Sequence, residues 1–442
     1  MSGLLQSSNF KKFRTFLVLF AFTLFLGVTL VFTFKLVQKR EKHPRKFPSL
    51  DSFVASLPLA QFTATNMEKF GDDGVHCFKN LYYHAHEFLF GMEHNSNRNR
   101  SSLNFFGNGD YAYTVSSLSE EAFLKLAKSK QPYKIQGTTL ILASSKEMKS
   151  LQPHYFHFLE EFVLAWSAYR HTDSKSVSTV IFPDIDHWEG INKINHQILQ
   201  AIIPNLTVLN KTQFNELTKK NLVQFENAVI VDRHGCHNLK PVATFNKMLL
   251  GHTHLIKNEY LKEIRDSVLS YLKTSDQPKR SPTITYVNRK NRRYLEPEFE
   301  KKFLQTLRKE FPNHKVQAIW FEKLNYAQQL QVIRNTDILI GAHGNGLTHS
   351  YFLPDNALVL EIFPNGAFAM DYQLISELAE HDYYAIEPKE GIISFAGHHM
   401  PPRGNVNQVI QDFDMNWVLS PIKEHIQEFD KMGGMNERSS LE

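Results

Sequence analysis

The densest run of residues able to do chemistry in this 442-residue chain is Asp337-Ile-Leu-Ile-Gly341-Ala342-His343-Gly344-Asn345-Gly346-Leu347-Thr348-His349. An apolar strand ends there in a turn with three glycines, and a helix is expected to follow. Glycines let the backbone come close to an anion. A helix N-terminus offers it unpaired N–H groups and partial positive charge. His343 adds a further donor. The turn has no Lys-Ser/Thr ending, so it is not a P-loop, and its spacing is not G-x-G-x-x-G, which removes the signature of a dehydrogenase. Two companions point the same way. Arg289, Lys290, Arg292 and Arg293 follow a strand expected at Thr283 to Val287. Basic side chains at a strand's carboxyl end can neutralise a diphosphate. Glu361 sits inside Leu358 to Phe363, a run so apolar that the carboxylate needs a partner. A ribose or sugar hydroxyl pair is one such partner, and a structural ion pair is the other.

These residues need a scaffold of alternating strands and helices. Strands are expected at Thr138 to Ala143, Val177 to Phe182 and Ala228 to Val231, with helices at Tyr155 to Tyr169 and Ile191 to Ile203. The second half repeats the alternation. Its strands are Thr283 to Val287, Lys315 to Trp320, Ile338 to Ile340 and Leu358 to Phe363. Its helices are Leu255 to Leu272, Glu298 to Glu310, Tyr326 to Asn335 and Ala369 to Ala379. Such alternation implies parallel sheets covered on both faces. The expected class is α/β, with two Rossmann-like units at 61–250 and 251–430 and a tail at 431–442. The stretch 61–137 carries no clear pattern.

Charge is unevenly spread. The first 46 residues hold nine basic and one acidic side chain, a net +8, so in a chain of formal charge +5 the remainder is −3. That balance argues against a nucleic-acid binder. From Thr15 to Phe34 there is no charged residue. About 20 apolar residues match the thickness of a bilayer core. No A-x-A site follows, so the reading is an uncleaved signal anchor at 15–34, with a cytosolic tail at 1–14 and a Pro-containing stem at 35–60. The flanking charge by itself would keep the large part cytosolic. Asn99, Asn205 and Asn210 head glycosylation tripeptides that are used only in a lumen. Two cysteines exclude a disulfide-dense scaffold; Cys77 and Cys236 are either one bridge or two buried thiols.

The run Gly341 to His349, followed by Phe352-Leu-Pro354 and Leu360-Glu-Ile362, resembles glycosyltransferase family 61. The pattern is nearest its EGF-domain-specific O-linked N-acetylglucosamine transferase type, and the family also contains plant β-1,2-xylosyltransferases. Gln329 is similar to the second residue of the family's Glu-Gln pair, with Gln328 in place of the acid. Arg289 and Arg293 are similar to its spaced arginines, and His157 and Glu161 to its His and acid in the N-terminal half. Asn345 stands where the family pattern has Ala, which bears on the shape of the donor pocket. The resemblance implies a GT-B architecture and inverting transfer from a nucleotide-sugar. UDP-sugar would lie on Arg289, Arg293, Gln329, Glu361 and the loop of Gly341, His343, Gly344, Asn345, Gly346, Leu347 and Thr348. His157 or Glu161, four apart on one helix face, would be the general base; the competing account is a core histidine with Glu161 as its partner.

The expected chain is a type II membrane transferase of the Golgi, or of the endoplasmic reticulum membrane, since Glu437 to Glu442 carries no K-D-E-L. Its acceptor would be a glycoprotein or glycan. A membrane-anchored protein that binds a glycan or nucleotide-sugar without turnover is the alternative, given Gln328 and Asn345. No resident cofactor is expected. Asp184 and Asp186 have the spacing of a metal-binding acid pair, but arginines and a helix dipole do that work in a GT-B fold. His234 and His237, His252 and His254, and His398 and His399 supply no four-ligand zinc set.

Overall fold

In a computed structural model the described residues are 49–63, 65–68, 74–84, 87–92, 114–143, 154–172, 175–186, 193–232, 249, 251–274, 281–393 and 407–439. The expected anchor at 15–34, Asn99, Cys236 and the histidines at 234, 237, 398 and 399 lie outside them. Among the described residues, no helix is long and apolar enough to cross a membrane. The compact unit Phe47–Glu442 is a mixed α/β structure with two sheets.

The first sheet contains β1 (Asn66–Glu68), β2 (Val75–His84), β3 (Glu87–Met92), β4 (Thr114–Ser119), β5 (Gln131–Ala143), β6 (Val177–Phe182), β7 (Thr207–Asn210) and β8 (Asn221–Asp232). Its order is β4-β3-β2-β8-β5-β6-β7, with β1 on β2. β8, β5, β6 and β7 run parallel, as alternation with helices requires. The expectation of an all-parallel N-terminal unit fails beyond β8. There β2 is antiparallel to both β8 and β3. Its residues are buried on both faces, so the sequence shows no alternation to read. β5 begins seven residues before Thr138, because a register shift after Ile135, at Gly137 with φ +79°, breaks its pattern.

The second sheet contains β9 (Thr283–Val287), β10 (Lys315–Ile319), β11 (Ile338–Ala342), β12 (Leu358–Ile362), β13 (Asp382–Glu387) and β14 (Gly391–Ile393), in the order β10-β9-β11-β12-β13-β14. Only β14 is antiparallel. β9, β11 and β12 are buried at every residue, so they read as short runs rich in Ile, Leu and Val whose polar members, Thr283, Thr285 and Glu361, are buried with the rest.

The helices carry their own start signals. Pro297–Glu310 begins with Pro at the first turn and a Glu296 carboxylate accepting from the Phe299 N–H at 2.9 Å; Arg308 and Lys309 close it. Tyr326–Arg334 begins with a capping box between Asn325 and Gln328. The last helix, Asn416–Ser439, runs through most of the expected tail.

One apolar core joins the two sheets. It runs from β5 and β6 through the helices Tyr155–Arg170 and Asn258–Tyr271 to Leu347, Tyr351 and Phe352 beside the second sheet. A separate core fills the far face of that sheet, under Pro297–Glu310 and Asn416–Ser439.

Candidate functional site

The strand order of the second sheet fixes where a ligand belongs. Taken from β9, the parallel strands stand in the order 2-1-3-4-5, so the connections leaving β9 and β11 turn to opposite sides. Their carboxyl ends are the switch point of an open α/β sheet, the place where such folds form a ligand crevice. Arg289 follows β9 and His343 follows β11, so the two runs singled out in the sequence meet there. The Arg289 Nη1 donates to the His343 carbonyl at 3.1 Å. The Asn288 side chain holds the loop. Its Oδ1 accepts from the Arg289 N–H at 2.8 Å, and its Nδ2 donates to Glu300 at 2.7 Å. Burial pulls the Arg289 pKa down, opposed by the nearby Tyr372 and Glu322. Arginine stays charged through such a shift.

The glycines have local reasons. Gly344 has φ +149°, and a Cβ there would overlap the Arg289 guanidinium, reaching 2.6 Å from Cζ. A Cβ on Gly346 would stand 2.8 Å from Val287 Cγ1. The glycines thus admit an arginine and a strand from the neighbouring element. Leu347 packs over Gly341. The helix expected after the turn is a 3-10 helix, Asn345–Phe352, not an α-helix. The Leu347 N–H turns back to the Gly344 carbonyl at 2.8 Å, which sets the tighter winding. Asn345 is exposed and its Oδ1 accepts from the Thr348 hydroxyl at 3.1 Å, so its side chain serves the turn itself.

Glu361 is fully buried, and both its oxygens have protein partners. One meets His343 Nδ1 and the other accepts from the Tyr383 hydroxyl, each at 2.5 Å. Of the two partners weighed for it, a sugar hydroxyl pair and a structural pair, the structural one is present. Burial pushes the Glu361 carboxyl up to about 8, against the Tyr383 hydrogen bond and the Arg293 charge. Arg293 thus lies near enough to act on Glu361, on a backbone with φ +54°. The His343 ring stacks on Phe363 at 5.2 Å and faces Tyr372 at 5.7 Å. Thr348 lies near the Tyr372 hydroxyl. Tyr372 and Tyr383 were not singled out from sequence. Tyr383 had a signal: it lies two residues before Ala385, the register partner of Glu361, and so on the same face of the adjacent strand.

Gln329 does not face the crevice as a ligand-binding residue would. Its Nε2 donates to the carbonyls of Phe321 and Leu324 at 2.9 and 3.0 Å, and its Oε1 meets His349 Nε2 at 2.9 Å. His349 Nδ1 lies 3.0 Å from the Gly346 carbonyl, and its ring stacks on Phe321 at 4.1 Å. Burial pulls the His349 pKa down to about 4. Gln329 and His349 together brace the turn from below. Gln328 caps its own helix, a task that the acid of the family pattern performs equally well.

The helix Tyr155–Arg170 brings the first sheet's residues to this crevice. The Tyr155 and Tyr326 hydroxyls are 3.1 Å apart, and Phe156 meets Tyr372 edge-on at 5.4 Å. His157 pairs with Glu160 rather than Glu161: Nδ1 lies 2.9 Å from Glu160 Oε2. Three-residue and four-residue spacings both face one side of a helix, and the former is used here. The His157 side chain keeps 17% exposure, whereas Glu161 is fully buried.

The remaining candidates stand elsewhere. Asp186 pairs with Lys211 at 3.5 Å, and Asp184 acts on Tyr83. Among the described residues, no group of three or more His, Cys, Asp or Glu side chains is placed to hold a metal. Asn205 is exposed in a turn, while the Asn210 Oδ1 caps the helix Lys211–Lys220. Cys77 is buried in β2.

Comparison with known proteins falls on the same parts. The family profile of Glycosyltransferase 61 matches residues 155–360. The EGF domain-specific O-linked N-acetylglucosamine transferase of Drosophila melanogaster is 40% identical over 86 residues, 20% of this chain and 16% of the relative. That of Xenopus laevis is 38% identical over 80 residues, 18% of this chain and 15% of the relative. That of Bos taurus is 50% identical over 46 residues, 10% and 9%. The chain thus matches less than a fifth of the length of each of these curated relatives. The strands β9 and β11, the glycine turn and the helix Tyr155–Arg170 that meets it all lie within residues 155–360, the part of the chain that is similar to the Glycosyltransferase 61 profile.

Proposed function

We propose that this chain is an inverting glycosyltransferase of the GT-B type that moves a sugar from a UDP-sugar to a hydroxyl of a glycoprotein or glycan. The observation that carries the reading is the Arg289 guanidinium seated over the glycine turn at the switch point. A cation fixed at the carboxyl ends of β9 and β11 suits the diphosphate of a nucleotide-sugar. The relatives' names include N-acetylglucosamine, which makes UDP-N-acetylglucosamine the first donor to try, with UDP-xylose second.

In the reaction the acceptor oxygen bonds to the anomeric carbon as the bond from that carbon to the diphosphate oxygen breaks. The electron pair leaves with UDP. Arg289 meets the charge that develops there; a fixed donor aimed at such charge is worth about 3 kcal/mol. Arg293 and His343, with the backbone and side chains of Gly341, Gly344, Asn345, Gly346, Leu347 and Thr348, complete this wall. The acceptor proton passes to a general base. Of the two candidates, His157 suits the role better, being partly exposed and backed by Glu160; Glu161 lies in the core. No divalent metal takes part. The chain is held in the Golgi membrane by residues 15–34, with Asn205 and Asn210 on the lumenal side as glycan acceptors, and Asn99 with them.

The test is UDP release by the purified full chain from a panel of UDP-sugars, with EDTA present. Release from one donor, lost in Arg289→Ala with an unchanged melting temperature, is the expected result. Full activity in Arg289→Ala would sink the site. Donor binding without turnover would favour the non-catalytic binding protein, and turnover restored only by Mn²⁺ would return Asp184 and Asp186 to consideration.

A further inference from the structure

With both oxygens of Glu361 taken by His343 and Tyr383, the ribose of a nucleotide in this crevice lacks the acid first expected for it. The topology offers another. In dinucleotide folds the phosphate loop follows the first strand, and an acid near the end of the second takes the ribose hydroxyls. Here β9 is the first strand and β10 the second, paired in parallel from Thr283 with Lys315 to Val287 with Ile319. The pairing extends past the strand ends, where the Asn288 N–H donates to the Ile319 carbonyl at 2.7 Å. Arg289 and the turn Phe321–Lys323 therefore leave the sheet side by side, about one strand spacing, ~4.8 Å, apart. In that turn stands Glu322, which is exposed.

Three further observations mark Glu322. Its charge acts on Arg289, in keeping with the two standing at the same end of the sheet on neighbouring strands. Among the described residues it makes no salt bridge, although Lys323 adjoins it and Lys290 is near. Those two ammonium groups are instead held over the Trp320 ring, Lys290 at 4.7 Å and Lys323 at 5.5 Å from its centroid. The Lys290 contact brings the loop that carries Arg289 against the end of β10.

We propose that Glu322 is the acceptor for the ribose hydroxyls of the bound nucleoside diphosphate, with Trp320 as the wall beside it. A nucleotide then lies across the sheet edge, its diphosphate on Arg289 between β9 and β11 and its ribose on Glu322 at the end of β10. This assignment rests on the nucleotide-sugar reading of the crevice.

The test compares binding of UDP and 2′-deoxy-UDP to the full chain by calorimetric titration. Wild type is expected to prefer UDP by roughly tenfold or more, the usual worth of a hydrogen bond to a charged group. Glu322→Ala should lose that preference by weakening UDP, with no change in melting temperature, since the side chain is exposed. Arg289→Ala should weaken both nucleotides and keep their ratio. A Glu322→Ala variant that retains the wild-type preference overturns the assignment and leaves the transferase reading intact, as does a wild type that binds both nucleotides equally. Binding of neither nucleotide by folded wild type overturns both.

Discussion

At the scale of single residues, the site depends on space left empty and on a shared proton. The space is at Gly344, where any side chain would collide with the guanidinium of Arg289. Gly344→Ala should lower UDP release roughly 100-fold, the usual loss on removing a fixed donor, and lower stability by about 1–3 kcal/mol through backbone strain at φ +149°; retention of most activity would contradict the packing described. The proton is the one between Glu361 and His343, and burial raises the Glu361 carboxyl from 4.5 to about 8. The folded protein keeps that proton where the unfolded chain has released it. The resulting stability is fully present below pH 4.5 and declines until it is lost above about pH 8. Thermal unfolding followed over this window should show wild type losing stability as pH rises, and Glu361→Gln should lose less. Parallel curves for the two proteins would argue against a protonated carboxyl. Much of this was legible in sequence: Arg289, His343, Gly344 and Glu361 could be named from residue type and position. The partner of Glu361 could not, because a carboxylate in an apolar strand demands a partner without naming it, and Tyr383 lies on a later strand whose register only the fold supplies.

At the scale of elements, capping and bracing matter more than ligand contact. Asn325 and Gln328 start the helix Tyr326–Arg334, and Gln329 on its next position pins His349 under the turn. Asn325→Ala should cost about 1 kcal/mol in urea unfolding and leave donor affinity unchanged. Gln329→Leu should do more to the site, because it leaves His349 without its partner and the carbonyls of Phe321 and Leu324 without a donor. A weaker UDP affinity in Gln329→Leu, with the Asn325→Ala value as reference, separates bracing from general destabilisation. Strands and helices of the second half were readable because β9, β11 and β12 are short buried runs set off by helix start signals. β2 and the first half of β5 were not, the former being buried on both faces and the latter broken at Gly137. The helix expected after the glycine turn is there, wound as a 3-10 helix because the Gly344 carbonyl captures the Leu347 N–H three residues on, a local choice that apolar periodicity does not report.

At the scale of the whole molecule, the two sheets do not have separate interiors. The helix Tyr155–Arg170 and the turn Asn345–Phe352 contribute to one core, with Tyr155 against Tyr326 and Phe156 against Tyr372. Calorimetry of the full chain is expected to show one cooperative transition for this body, and Phe156→Ala should lower its midpoint by the loss of about 3–5 kcal/mol that a buried phenylalanine commonly represents; two resolved transitions would mean independent halves. The shared core has a further consequence for traffic through the crevice. Prising the sheets apart would wet Leu347, Tyr351 and Phe352, at roughly 1.5–3 kcal/mol for each side chain. The crevice is thus a slot in a solid block rather than a pair of jaws. For the nucleotide proposed above, entry would then run along the end of β10, where Glu322 is exposed, rather than between parting sheets.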